Sequence, residues 1–319
     1  MNLLSWNCRG LNNSRTVREL RHIVRREKID IVFLVETKCS SRAVDKLKVQ
    51  FGWFGMGVDA KGLFGGLALL WRKDIDISLN RFSSSFIDVT VRTDGSPWRL
   101  TGFYGHPEAA KRKLSWDLLR TLSGQSTLPW VCMGDFNEVL NQCEFHSRTG
   151  LRQNWQIMNF RKVLSDCHLY DLGCKGFQFT WCHGQHTPNT IRARLNRACA
   201  TQEAVDLFPG VEVSHVHALY SDHTPIVVNL SKSARLSQHP KPSARRRKCF
   251  MFEAMWIKAT DCADIIKQTW DSVSATNAGD NLLSKMDACR IGLLTWSKQK
   301  YGNCCRRADE LRAKIAQLQ

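Results

Sequence analysis

Five short polar motifs each close an apolar run within residues 1–230: SWNCRG at 5–10, VETK at 35–38, FYG at 103–105, GDFN at 134–137 and SDHTP at 221–225. They supply three carboxylates (Glu36, Asp135, Asp222), two carboxamides (Asn7, Asn137), the Tyr104 phenol and the His223 imidazole. Singly each is ordinary; an Asn after a strand is commonly a turn residue, and Ser-Asp-His is a frequent tripeptide. Brought together, they suit hydrolysis of a phosphodiester with a divalent metal. Carboxylates hold the ion, an acidic group positions water, and neutral or cationic donors stabilise the charge that builds on phosphorus.

The elements that must position these groups are legible in the apolar pattern. Residues 3–7, 31–36, 66–71, 87–92, 98–104, 130–134, 211–217 and 226–230 read as strands, and 16–28, 43–50, 113–122, 155–164 and 202–208 carry helical spacing. Strands interspersed with helices indicate an α/β (α+β) fold, a four-layer sandwich of two packed β-sheets flanked by helices. Folds of this kind put chemistry at strand ends, where Asn7, Glu36, Tyr104 and Asp135 fall. A Ser-, Pro- and basic-rich linker at 231–248 follows, ending in Arg245-Arg246-Arg247-Lys248, a solvated run or a phosphate-binding or nuclear-entry patch. Residues 249–319 form a helical C-terminal tail, with proline-free helices expected over 253–270, 282–301 and 306–318. In the last, Ala308, Leu311, Ile315 and Leu318 begin a coiled-coil-like stripe suited to self-association. The chain stops with that stripe still running, as a truncated chain would.

Composition narrows the partners. Over 319 residues the formal net charge is +17, of which +8 lies in residues 1–230 and +9 in the much shorter remainder. That excess calls for a polyanion, and an acidic pocket within a basic surface favours a phosphodiester backbone over a membrane. No apolar run approaches the roughly 20 residues of a membrane helix, and the N-terminus lacks the pattern of a secretory signal. The 13 cysteines are scattered without a CxxC pair, so reduced thiols in a nuclear or cytoplasmic protein are expected.

The order Asn, Glu, Tyr, Asp-x-Asn, Asp-His resembles the endonuclease/exonuclease/phosphatase superfamily, which includes deoxyribonuclease I and the abasic-site endonucleases. WNCRGL (6–11), FEAMW (252–256) and a W-x4-YG element from Trp296 to Gly302 make the chain similar to the endonuclease region of plant non-LTR (LINE-type) retrotransposons. There a helical spacer and a reverse transcriptase follow the nuclease. The resemblance implies that Glu36 is the principal metal ligand, with Asn7 beside it and Asp222 at the metal side. It implies Mg2+, or Mn2+ in its place, whose preference for oxygen ligands the set matches. It assigns Asp135 to positioning and deprotonating the attacking water, and Asn137, Tyr104 and His223 to the scissile phosphate. The implied substrate is DNA, nicked to leave a 3′-hydroxyl, with no obligate protein partner.

Two positions depart from the superfamily pattern. Arg194-Leu195-Asn196-Arg197 stands where the retroelement branch has R-L-D-R, so Asn196 replaces the carboxylate that normally pairs with the histidine. An amide brings no charge and can hold the wrong tautomer; in the serine-protease triad the same change costs about ten-thousand-fold in turnover. The alternative reading is therefore a catalytically impaired remnant that binds nucleic acid without cutting. Arg9 occupies the place of an acidic residue in repair enzymes and either contacts DNA phosphate or faces solvent. Cys182-His183-x-x-His186 has no matching second ligand pair and reads as a hairpin turn rather than a zinc site. Its His183, with Arg192, is a candidate DNA contact. Gly65-Gly66 lacks the Lys-Ser/Thr ending of a phosphate loop and fits a hairpin leading into the next strand. Trp6, Trp71 and Trp130 sit in strand patterns and read as core.

Overall fold

Two parallel strand pairs lie at the centre of the architecture, one in each of two six-stranded sheets. In the computed structural model, which describes residues 1–62, 64–93, 96–148, 150–184, 189–231, 256, 259–272 and 278–301, the first sheet runs in the order β14 (Glu212–His215), β15 (Ile226–Asn229), β1 (Asn2–Asn7), β2 (Ile31–Val35), β4 (Leu67–Trp71), β3 (Phe54–Val58). The second runs β10 (Tyr170–Asp171), β13 (Asn196–Ala200), β8 (Trp130–Asp135), β7 (Trp98–Tyr104), β6 (Phe86–Arg92), β5 (Asp76–Ser83). A small third sheet joins β11 (Trp181–His183), β12 (Ile191–Ala193) and β9 (Phe145–His146). The parallel pairs β1–β2 and β7–β8 place Asn7 beside Val35, and Tyr104 beside Asp135, so both pairs end together.

Alternation of side chains along the strands sorts the core into layers. Leu3, Ile31, Phe33 and Leu69 face Val89, Leu100, Val131 and Met133 between the sheets, all buried. The alternate residues Leu4, Trp6, Val32 and Leu34 face outward under α1 (Ser14–Arg26) and α2 (Ser41–Phe51). On the far side, Phe103 and Cys132 meet α3 (Arg112–Ser123) and α4 (Asn154–Asp166). Helix α1 starts where Asn13 caps it by accepting from the Arg15 N–H, and buries Leu20, Ile23 and Val24. The expected four-layer sandwich is the observed one. Strands β3, β5, β9, β10 and β13 were not expected as strands; each is short, polar or glycine-bearing. One glycine has a direct bearing on the site. A Cβ on Gly134 would fall 1.9 Å from the Phe103 carbonyl oxygen, so only glycine lets β8 lie this close to β7 before Asp135.

The chain divides into two compact units, Met1–Gln238 and His239–Gln319. In the second, α5 (Cys262–Asp271) packs on α6 (Ala278–Tyr301), and Trp256 meets Trp296 edge-on at 5.9 Å. The helix expected over 253–270 is corrected: among the described residues it begins only at Cys262. Ala259–Asp261 form a turn, whose Asp261 carboxylate accepts from the Trp296 indole at 2.8 Å and from Lys300. The basic run at 245–248, the 306–318 helix with its stripe, and most of the 231–248 linker lie outside the described residues. No helix among the described residues is long and apolar enough to cross a membrane.

Candidate active site

Two hydrogen bonds between side chains join the sheets at their common edge. From β1, the Asn7 amide donates to Asp135 Oδ2 at 2.9 Å; from β7, the Tyr104 hydroxyl donates to Glu36 Oε1 at 2.6 Å. His223, on the loop before β15, is buried against both amides and Asp135. Its Nε2 is 3.4 Å from Asn7 Nδ2, and its Nδ1 is 3.3 Å from Asn196 Oδ1 and 3.5 Å from Asp135 Oδ2. The antiparallel register of β13 on β8 sets Asn196 opposite Asp135, which is why these groups meet.

The backbone is bent to make this cluster. Glu36 at φ +55°, Asn137 at +54° and Arg9 at +53° lie in the left-handed region, where a residue with a Cβ is strained by about 1–2 kcal/mol. The Gly65 N–H donates to Glu36 Oε1 at 3.2 Å, so the glycine hairpin holds the carboxylate rather than a phosphate. The Asn137 N–H donates to Asp135 Oδ1 at 3.0 Å, closing a turn that fixes the carboxylate plane. Ser221 Oγ donates to the Asn7 carbonyl at 2.7 Å and accepts from the His223 N–H. The Trp6 indole, in the core as expected, donates to the His223 carbonyl.

Asn196 proves to be directional. Its Nδ2 donates to the Thr224 carbonyl at 2.9 Å, which turns its oxygen toward His223 Nδ1. Thr180 Oγ1 accepts from the Leu195 and Asn196 N–H groups and locks that segment. The amide therefore acts as an acceptor and selects the Nδ1–H tautomer, the one a carboxylate would select. What it lacks is charge. Burial pushes the His223 imidazole below its usual value, and the carboxylates of Asp135 and Asp222 only partly oppose this. Burial, with Glu36 alongside, raises the Tyr104 hydroxyl well above the usual phenol range, so it stays a donor.

Asp222 does not touch Glu36 or Asn7 in any described hydrogen bond. It accepts two hydrogen bonds from Arg9, at 2.9 and 3.2 Å, and one from the Trp181 indole at 2.9 Å. Burial pushes the Asp222 carboxyl up, but His223 and Arg9 outweigh that and hold it below the ordinary carboxylate value. Arg9 thus faces a carboxylate at the site rim, its side chain 40% exposed. Asn137 directs its Nδ2 to the Gly105 carbonyl at 2.7 Å. Arg192 sits on β12 opposite Cys182 in the expected hairpin and, with Arg9, Trp181 and His183, lines an adjoining cavity of about 720 Å3. The positioning roles of Gly65, Thr180 and Ser221 are not visible in the sequence, because Glu36, Asn196 and Asn7, which they hold, lie at a distance in the chain.

Whether a divalent ion suits these residues can be tested on their free atoms. The Asn7 Oδ1 is buried with no hydrogen-bond partner, an arrangement that costs about 1–3 kcal/mol unless something else engages it. Glu36 Oε2 has Lys38, 3.9 Å away, as its ionic partner among the described residues. Among the described residues no group of three His, Cys, Asp or Glu side chains is arranged to hold a metal. A carboxylate plus a carboxamide oxygen, with the remaining positions left to water, fits Mg2+, which dehydrates reluctantly.

The comparisons with known proteins agree with the fold. Solved structures with the same fold include the endonuclease domain of TRAS1, a telomere-specific non-LTR retrotransposon (TM-score 0.55, 16% identity, 72% of this chain and 98% of that one). They include the AP endonuclease LMAP from Leishmania major (0.57, 15%, 71% and 86%) and the 3′-5′ exonuclease NExo from Neisseria meningitidis (0.55, 15%, 72% and 100%). No curated protein matches the chain in sequence. The model of the Endonuclease/Exonuclease/phosphatase family matches residues 4–223, more than half the chain and every motif from Asn7 to His223, and the chain belongs to that family.

Proposed function

We propose that this protein is a Mg2+-dependent DNA endonuclease of retroelement origin that nicks one strand and leaves a 3′-hydroxyl. The observation that carries the reading is the convergence of Asn7, Asp135 and His223 within 2.9–3.5 Å of one another beside the Glu36–Tyr104 pair. Glu36 and Asn7 would hold the ion, which supplies Lewis-acid stabilisation of the phosphate charge. Asp135, fixed in plane by Asn7 and Asn137, takes the proton of the attacking water at Oδ2. The Tyr104 hydroxyl, whose one proton goes here to Glu36 Oε1, would redirect it to a phosphate oxygen of bound substrate, and Asn7 Nδ2 holds Asp135 Oδ2 in place. His223, neutral and bearing its proton on Nδ1, offers Nε2 to the substrate side; as imidazolium it donates there instead. Asp222 serves by holding Arg9 at the rim.

A LINE-type, plant-like lineage rests on WNCRGL and FEAMW, and the net charge of +17 suits a DNA partner. Incubation of supercoiled plasmid with the protein and Mg2+ is expected to give open circles that a DNA polymerase extends without further processing. No open circles, or ends that resist extension, would overturn the reading. A second reading, binding without cutting, is favoured by one observation, the uncharged Asn196 on His223. It predicts salt-sensitive DNA binding without open circles and recovery of nicking in Asn196→Asp.

A further inference from the structure

Helices α1 and α2 lie side by side on the outer face of the first sheet, and the crease between them is a second basic region. It contains two cavities of about 460 and 470 Å3 that share Arg21 and Gln50. The first starts at Leu11, Asn12 and Ser14, where the chain leaves the catalytic edge; the second ends at Lys28, Ile29 and Arg72. Arg18, Arg21 and Arg25 recur at three- and four-residue steps, so they share one helix face, spanning about 10 Å. Lys28 continues the row beyond the helix, and Lys46 answers it from α2.

No acidic residue lines either cavity; Asp30 and Asp74 pair with Arg72 at the end of the second, and the other neighbouring acids are engaged elsewhere. Glu19 accepts from the Leu219 and Tyr220 N–H groups, Glu27 pairs with Arg26, and Asp45 pairs with Lys48. No hydrogen bond or ion pair to a described residue occupies the side chains of Arg18, Arg25, Lys28 or Lys46. The floor of the second cavity is aromatic. Phe51 and Trp53 stand 5.5 Å apart, both half-buried, with the Arg21 guanidinium 6.0 Å from the Phe51 ring. Free cations in a row beside a partly exposed indole are the two requirements for holding a single strand: charge for the phosphates and a π-face for a base.

We propose that the α1–α2 crease binds one single strand of nucleic acid, phosphates on Arg18, Arg25, Lys28 and Lys46, and a base on Trp53. The shared chemistry is the phosphodiester chain with its bases; RNA and DNA are its two sources. An acidic membrane would use the cations, but Phe51 and Trp53 are half-buried in the wall of a cavity, out of reach of a flat lipid surface. The proposal is independent of the nuclease reading, because binding is measured in EDTA and needs no cleavage.

The test is fluorescence anisotropy of labelled 20-nucleotide oligo(dT) and oligo(U) with the full chain in EDTA over a range of salt. Arg18→Gln/Arg25→Gln/Lys28→Gln/Lys46→Gln is expected to weaken binding at least about tenfold. It should also flatten the slope of log affinity against log salt by about 3, since each lost phosphate contact on a single strand removes roughly 0.7. Trp53→Ala should weaken binding about fivefold or more with the slope unchanged, and Trp53→Phe should retain most of the affinity. A control removing the same charge elsewhere, Arg81→Gln/Lys113→Gln/Arg148→Gln/Lys162→Gln, should leave most of the affinity intact. The tighter of the two probes identifies the sugar. Equal loss in the control, unchanged binding in the crease variant, or unchanged binding in Trp53→Ala overturns the proposal. So does loss of binding to phosphatidylserine vesicles in the crease variant while both oligonucleotides still bind.

Discussion

Behind the edge that carries the candidate site lies a second concentration of charge, and the two regions are built differently. At the edge, Glu36 sits on strained backbone, Asp135 follows the closely approached Gly134, and the Asn7 oxygen has no partner. Behind it, buried arginines and carboxylates are matched at short range. Glu138 joins Arg112 and Arg152 at 2.8 Å each; Glu144 joins Arg194 and Arg197 at 2.8 and 2.9 Å; Asp171 joins the same two arginines. Arg152 also donates to the Asn137 carbonyl, tying this cluster to the Asp135 turn. The Nε atoms of Arg112, Arg194 and Arg197 are also buried without a partner, so the contrast is one of charge. The carboxylates behind the edge are neutralised by arginines, whereas Glu36 and Asp135 accept hydrogen bonds from the uncharged Tyr104, Gly65, Asn7 and Asn137 and keep their charge for a ligand.

Substitutions separate the two. Asp135→Ala should lower nicking by at least about a thousandfold, the loss expected for a general base, measured as the initial rate of open-circle formation. Glu144→Ala leaves two buried guanidinium groups sharing the single carboxylate of Asp171 and should cost about 3–5 kcal/mol of folding stability in urea unfolding, with nicking per folded molecule much less affected. Asn196→Asp should raise nicking by about tenfold or more, because a charge is restored on a histidine already held in the right tautomer. An unchanged rate would show that Asp135 already supplies His223 with all the charge it needs.

The smallest effect concerns acid. Burial tends to raise the Glu144 carboxyl, but Arg197 and Arg194 outweigh it and hold the group below its ordinary value of 4.5. A depressed folded-state value gives stability that is complete above the unfolded value and is lost as pH falls through the folded one. Unfolding midpoints should therefore fall as pH drops below about 4.5, and Glu144→Gln should flatten that decline. An identical acid profile in the variant would remove Glu144 from the supporting role assigned to it.

The contrast also explains what the sequence disclosed. Strand-end motifs were readable because an apolar run followed by a polar residue is a local signal, as in Trp130–Asp135. The supporting cluster was not, since Arg112, Glu138, Glu144, Asp171 and Arg197 come from separate elements and share no periodicity. Strand β3 escaped because Gly55 and Gly57 interrupt its apolar pattern; a Cβ on Gly55 would meet the Leu69 carbonyl at 2.5 Å. The pairing of Asn196 with His223 was expected from motif order, but its direction depended on the Thr224 carbonyl, a contact 28 residues away. Asp222 was grouped with the metal side on family pattern alone, and its bidentate partner Arg9 is what ties it to the rim instead.

The most direct measurement compares nicking rate and thermal midpoint in Asp135→Asn against the unaltered protein, both in Mg2+. The substitution keeps shape while removing the proton acceptor. Loss of nicking with the midpoint held within about 4 °C, a shift worth about 1–2 kcal/mol in a domain of this size, is the expected result. Undiminished nicking by Asp135→Asn would contradict the assignment of this cluster as the hydrolytic site.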